Sequence, residues 1–167
     1  MQNTFIEKIS KTSQIEIVAE LAYEIWNEYF TPIIGQSQVD YMLQKFQSKK
    51  AIEEQINQGF IYFLINNNSG QVGYMGVYPE NNQLLLSKLY IRLAERNKSY
   101  GRKAVDFLEK LARERELSKI SLTVNKDNFD SIKAYENFGF ITVKAAVKDI
   151  GNHFVMDDYI MEKNITL

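Results

Sequence analysis

The sequence predicts an α/β (α+β) fold. The expected core is a mixed, mostly antiparallel central sheet of about seven strands, flanked by about four to five helices, in a single domain over residues 1–167. Three observations carry this expectation. Apolar residues recur at helical spacing from Ile17 to Ile56, and the period changes at Phe60. Three strand-like runs then follow one another through short polar turns, as in an antiparallel meander. From Leu84 the order becomes strand, loop, amphipathic helix, strand, and such a crossover lays the second strand parallel to the first.

Each element has a local reason. Thr4 to Ile9 alternates and forms a first strand. From Thr12, residues Ile17, Val18, Leu21, Ala22, Ile25, Trp26 and Tyr29 line one helix face, which stops before Pro32. Val39, Met42, Leu43 and Phe46 make a second stripe. Ser48 caps a third helix, which Gly59 closes. Phe60–Ile65, Val72–Tyr78 and Leu84–Ile91 are the meander strands, separated by Asn66–Gly70 and Glu80–Asn82. Ala104, Val105, Leu108, Leu111 and Ala112 give the long helix its apolar face. Lys119–Val124 is the next strand. Asp127 or Asn128 caps a helix through Asn137, with Gly139 as its left-handed terminator. Ile141–Ile150, a Gly151-Asn152 turn and Phe154–Met161 form a closing hairpin.

Composition prunes the chemistry. A net charge of −1 supplies no basic field for a nucleic acid or an anionic membrane. Apolar runs are too short to span a bilayer, and Met1–Lys8 has no signal-peptide core, so a cytoplasmic location is expected. With no Cys and a single His, His153, neither a thiolate metal site nor a multi-His cage is expected, and the metal expectation is none. A transferase built from these residues moves its group directly between two bound substrates.

The run Leu84-Leu85-Leu86-Ser87-Lys88-Leu89-Tyr90-Ile91 leads into Arg96-Asn97-Lys98-Ser99-Tyr100-Gly101 and then a helix start. Backbone N–H groups and the positive helix end there suit a pyrophosphate. With Asn128, Ser131, Ala134, Tyr135 and Phe138-Gly139-Phe140, this stretch resembles the GNAT superfamily of acetyl-CoA-dependent N-acetyltransferases. The order of elements makes the resemblance span nearly the whole chain. It implies a GNAT-like sheet with a splayed central parallel pair. More narrowly, the Leu-Ser-Lys-Leu-Tyr strand, the Tyr41–Gly59 helices and Asp157-Asp158-Tyr159 resemble the PaiA-type branch, similar to polyamine acetyltransferases. One departure stands out: Ser99 occupies the position of the family's first loop glycine. If that position needs positive φ, Ser is a strained substitute.

The resemblance implies acetyl-CoA as cofactor and assigns roles. Arg96, Asn97, Lys98, Ser99, Tyr100, Gly101, Arg102 and Lys103 hold the pyrophosphate by backbone N–H groups and charge. Leu89, Tyr90 and Ile91 pair with the pantetheine arm like an added strand. Asn128 and Ser131 contact that arm. Tyr135 faces the departing sulfur. Full proton transfer from a Tyr to the thiolate is uphill by roughly 2 kcal/mol, which favours Tyr135 as a hydrogen-bond donor. A backbone N–H near Leu89 or Tyr90 suits the oxyanion. Making an alkylamine neutral at pH 7 costs on the order of 4–5 kcal/mol, so a base is needed. Glu28, Tyr29, Glu80, Tyr90 and Asp157 are the candidates, with water relayed through Tyr90 or a meander carboxylate preferred.

Trp26, Tyr29 and Tyr41 offer an aromatic wall for an alkylammonium, although the period of Trp26 also suits a core residue. Glu80 and Asp157 complete the candidate substrate residues. Asp157 and Asp158 point to opposite faces of a strand, so one can hold a distal ammonium while the other is solvated. Lys88 on the central strand is expected to reach solvent or a carboxylate. The expected partner is a small-molecule amine, a polyamine among the options, and the terminal hairpin offers an edge for a homodimer. Two other readings stay open: an acyl-CoA-binding sensor without turnover, and a peptide or protein N-acetyltransferase.

Overall fold

The computed structural model describes residues 3–166. Its elements are β1 (Phe5–Lys8), α1 (Thr12–Ile25), α2 (Thr31–Ile34), α3 (Gln36–Phe46), α4 (Lys49–Asn57), β2 (Ile61–Asn67), β3 (Gly70–Glu80) and β4 (Gln83–Ile91). They continue with α5 (Tyr100–Glu114), β5 (Lys119–Asn125), α6 (Phe129–Asn137), β6 (Ile141–Gly151) and β7 (Phe154–Asn164). Seven strands form one mixed sheet in the order β1-β2-β3-β4-β5-β7-β6. The β4–β5 pair is parallel, from Gln83↔Lys119 to Leu86↔Leu122. The β1–β2, β2–β3, β5–β7 and β6–β7 pairs are antiparallel.

The chain divides into two compact units. The first holds the residues up to Tyr78 together with Lys88–Ala104; the second holds Pro79–Ser87 and the chain from Val105 onward. In the first unit, Val18, Leu21, Ile25, Val39, Ile52, Leu64 and Met75 are buried. In the second, Leu84, Leu86, Val105, Leu108, Ile120, Leu122 and Met161 fill the core. These are the positions that the 3.6-residue and two-residue periods put on inward faces.

The first long helix departs from the expected end before Pro32. After Ile25 the chain widens into a π-helical turn, Trp26–Phe30, and Pro32 then sits in the first turn of α2. Its missing N–H is harmless there, because first-turn N–H groups have no intrahelical acceptor. The wide turn leaves Trp26 and Phe30 buried, their rings stacked at 4.3 Å. Ser48 caps α4 by accepting from Ala51 N–H (3.2 Å), and Asn128 rather than Asp127 caps α6. The hairpin turn falls on Asn152 and His153, both with positive φ, one residue later than expected.

One glycine sets the spacing of β3 against the end of β4. A Cβ on Gly73 would run into the Tyr90 carbonyl oxygen and stand 3.2 Å from Ile91 Cα. Both obstacles are backbone and cannot rotate away. Arg92 N–H donates to Val72 C=O (2.8 Å) beside this contact. Gly73→Ala is therefore expected to destabilise the protein by about 2–3 kcal/mol, a core-overpacking effect, measured as a lower urea midpoint at unchanged m-value.

Candidate functional site

The first unit carries the predicted anion loop. Beyond β4, Arg96 lies with its guanidinium carbon 3.8 Å from the centre of the Tyr29 ring, and its Nε donates to Ile91 C=O (3.3 Å). Arg96 thus fastens the loop to the π-helical turn. Asn97 and Ser99 both have left-handed φ, 61° and 69°, with Lys98 of negative φ between them. Alternating signs of this kind turn successive N–H groups to one side, as in backbone anion cradles. Lys103 N–H makes an early α5 bond to Ser99 C=O (3.0 Å), so the N–H groups before it point back at the loop. Tyr100 is buried, and its hydroxyl accepts from Asn67 Nδ2 (3.0 Å), which pins the helix start to β2. Lys98 pairs with Glu95 at 3.2 Å, Lys103 Nζ donates to the Thr4 hydroxyl at 2.9 Å, and Arg102 is exposed. Backbone donors, a helix dipole and three cations fit a diphosphate.

Leu89, Tyr90 and Ile91 are half-buried on the last turn of β4. The Tyr90 ring packs edge-on against Trp26 (5.5 Å), Phe30 (5.6 Å) and Tyr74 (5.6 Å). Trp26 is 3% exposed, a core position. Burial drives the Tyr74 phenol well above its ordinary pKa, and its hydroxyl donates to Gln47 Oε1 (2.9 Å). Tyr41 stands on α3 beside Lys45, whose ammonium donates to the Tyr41 hydroxyl (2.9 Å).

Lys88 differs from expectation. It reaches neither solvent nor a carboxylate. It is 6% exposed, donates to Gln55 Oε1 (3.1 Å) and Phe46 C=O (3.3 Å), and stands 5.3 Å from the centre of the Tyr62 ring. Burial lowers its pKa to about 7. The alternation Leu84, Leu86, Lys88 shows that the side chain points inward. The acceptors come from α3 and α4, which no local pattern connects to β4.

In the second unit, Asn128 is buried and its Oδ1 accepts from Ser131 N–H (3.3 Å), so this carboxamide oxygen serves the α6 cap. Tyr135 lies on α6, half-buried and edge-on to Phe140 (5.4 Å) and Phe138 (6.4 Å). Glu80 ends β3, half-buried. Asp157 is exposed and salt-bridged to Lys126 at 2.7 Å. Its neighbour Asp158 is buried, which the alternating Asp-Asp pair signals without saying which of the two turns inward. Among the described residues no group of three His, Cys, Asp or Glu is placed to hold a metal ion, and no helix is long and apolar enough to cross a membrane.

Two stability effects follow. Ser99→Gly removes a left-handed Cβ that costs about 1–2 kcal/mol, partly offset by glycine's unfolded-state entropy, and should stabilise by about 0.5–1 kcal/mol in denaturant titration. For Lys88, the folded amine holds its proton less tightly than the unfolded one. Stability from this residue is therefore full above the unfolded pKa of about 10.4 and is lost as pH falls through about 7. Lys88→Met leaves Phe46 C=O bonded to Gln55 Nε2 (3.0 Å) and Gln55 Oε1 bonded to the Tyr62 hydroxyl (2.5 Å). It should raise the melting temperature at pH 7 and flatten its rise between pH 7 and 10.

Comparison with known proteins places this geometry. No curated protein sequence matches the chain. Solved structures do. The PaiA N-acetyltransferase from Thermoplasma acidophilum, in complex with coenzyme A, is 20% identical with a TM-score of 0.74, over 97% of this chain and 99% of that one. The ribosomal-protein-S18-alanine N-acetyltransferase from Escherichia coli is 14% identical with a TM-score of 0.74, over 99% and 96%. A chimeric spermidine N-acetyltransferase involving Vibrio cholerae is 16% identical with a TM-score of 0.72, over 96% and 95%. At these identities the likeness establishes the fold. The match to the acetyltransferase (GNAT) family model over residues 19–140 takes in the meander, the left-handed loop, α5, β5 and α6, and with it the chain belongs to the GNAT family of acetyltransferases.

Proposed function

We propose that this protein transfers an acetyl group from acetyl-CoA directly to a primary amine of a small molecule. The left-handed Asn97–Ser99 loop running into the α5 N-terminus supports this most strongly, because its donors fit the cofactor's diphosphate. Acetyl-CoA supplies a thioester carbonyl open to attack by an amine. Asn97 to Arg102 hold the diphosphate through backbone N–H groups, with Lys98, Arg102 and Lys103 adding charge and Arg96 holding the loop in place against Tyr29. The β4 backbone from Leu89 to Ile91 aligns the pantetheine arm and supplies a donor for the carbonyl oxygen. Asn128 and Ser131 steady the arm. Tyr135 donates a hydrogen bond to the departing sulfur.

The aromatic group of Tyr29, Trp26 and Tyr90 shapes the acceptor end, with Trp26 as its buried floor. Tyr41 fits a cationic acceptor less well, since Lys45 already bonds its hydroxyl. Glu80 and one of Asp157 and Asp158, which face opposite sides of β7, supply acid groups. Such acids favour a small cationic amine, a polyamine included, over a peptide. The protein works in the cytoplasm, and β6, the last strand in the sheet order, with exposed Ile141 and Val147, suits pairing of two copies. A second reading is favoured by Ser99 alone: its left-handed strain suits a module that binds acyl-CoA without turnover.

Free-thiol release across an amine panel separates the two. Tyr135→Phe should bind CoA as wild type does in calorimetry, while turnover falls by about 100-fold. Equal rates in both proteins would remove Tyr135 from the chemistry. CoA binding without thiol release from any amine would select the binding module.

A further inference from the structure

Arg96 joins the anion loop to the aromatic turn through one planar group. It follows the short helical turn Leu93–Glu95 and immediately precedes left-handed Asn97. Its guanidinium lies over the Tyr29 ring, 3.8 Å from the centre, and its Nε donates to Ile91 C=O (3.3 Å). Among the described residues its Nη groups bond no acceptor. A guanidinium carries five N–H donors around one plane, so its face and its edges serve different partners at once. The Nη edge of Arg96 is therefore open to an oxygen anion while the face stays on Tyr29.

From Tyr29 the contacts run without a break into the core. Tyr29 packs edge-on to Phe30 (5.0 Å), and Phe30 stacks on Trp26 (4.3 Å). Phe30 (5.6 Å) and Trp26 (5.5 Å) both pack edge-on to Tyr90, at the end of β4. All of these residues belong to the same compact unit as the loop. A second tie joins this segment to α1: Arg92 Nη2 meets Glu24 at 3.1 Å, with both side chains 40% exposed. An ion pair this exposed adds little. The tie that stands beside the left-handed residues is Arg96 on Tyr29.

We propose that Arg96 is a positioning residue that couples occupancy of the anion loop to the acceptor end of the site through Tyr29. This rests on the acetyl-transfer reading above. A diphosphate oxygen at the Nη edge holds the guanidinium in the plane that covers Tyr29. The ordering of that side chain then serves two ligands: the coenzyme fixes the Tyr29 ring, and the amine docks on a wall already set. Linkage makes the effect mutual, so an amine on the wall tightens coenzyme binding by the same factor. A lysine at this position keeps the charge but has no plane. It can hold the anion or cover the ring, and not both.

Trp26 is the only tryptophan of the chain, so its fluorescence reads the aromatic turn directly. CoA and inorganic pyrophosphate are titrated separately into wild type, Arg96→Lys, Tyr29→Leu, Tyr29→Phe and Glu24→Gln, with calorimetry in parallel. None of the three positions is buried, so the variants should fold. In wild type both ligands should change Trp26 emission in proportion to occupancy. Tyr29→Phe, which keeps a ring, and Glu24→Gln, which loosens only the Arg92 tie, should keep that change. Arg96→Lys and Tyr29→Leu should lose most of it while calorimetry still shows CoA bound. In acetylation of diaminobutane and butylamine at saturating acetyl-CoA, Arg96→Lys should raise the amine KM by about 10-fold, although Arg96 does not touch the amine. Trp26 emission that is unmoved in wild type, or moved as far in Arg96→Lys and Tyr29→Leu, overturns the coupling. CoA that fails to bind in calorimetry sinks the acetyl-transfer reading instead, and the pyrophosphate titration still decides the coupling.

Discussion

The close approach of Gly73 to the Tyr90 carbonyl is the constraint on which the rest of the first unit depends. It allows β3 to stay against β4 up to the last residue before the loop. Arg92 can then bond Val72 C=O, and Arg96 can reach back to Ile91 C=O. These two bonds set where the loop leaves the sheet. The left-handed residues Asn97 and Ser99 then turn the chain into α5, whose start is held by the Tyr100–Asn67 hydrogen bond. Each contact is modest alone, about 1 kcal/mol for a hydrogen bond. Together they fix a run of backbone donors before any ligand arrives, and on the reading proposed above this reduces the entropic cost of binding.

Much of this was legible in the sequence, because it depends on neighbours along the chain. The change of period at Phe60, the crossover after Leu84 and the closing hairpin follow from local patterning alone. The strain question at Ser99 came instead from the resemblance, because the family carries a glycine at that loop position, and the φ of 69° answers it. The π-helical turn was not legible. Its signal is the burial of both Trp26 and Phe30, four residues apart, where an ordinary helix ending before Pro32 accounts for the pattern equally well. Which oxygen Lys88 would find was equally hidden, because Phe46 and Gln55 lie more than thirty positions away.

The wide turn also explains why the aromatic residues divide as they do. One extra residue in the ring of the helix rotates the side chains that follow it. Trp26 and Phe30 stack inward against Tyr90, and Tyr29 packs edge-on to Phe30 with its ring available to Arg96. An aromatic run that reads as a wall is therefore partly a core and partly a brace for the loop.

Lys88 and Asp158 show how hydrogen-bond accounting distinguishes two buried ionisable groups that burial and pKa alone would class together. Each is 6% exposed, and burial is the first cause of the shift in both. The lysine has two oxygen acceptors and an aromatic face, and those acceptors keep other donors if it is replaced by an apolar side chain. Its requirements are met inside the fold, which marks it as a strut between β4 and the α3–α4 helices. The aspartate has an oxygen that nothing in the fold meets, next to a cation already committed to another acid. A folded chain tolerates the first arrangement for packing. The second leaves a buried oxygen unmet, a cost that the raised Asp158 pKa reflects.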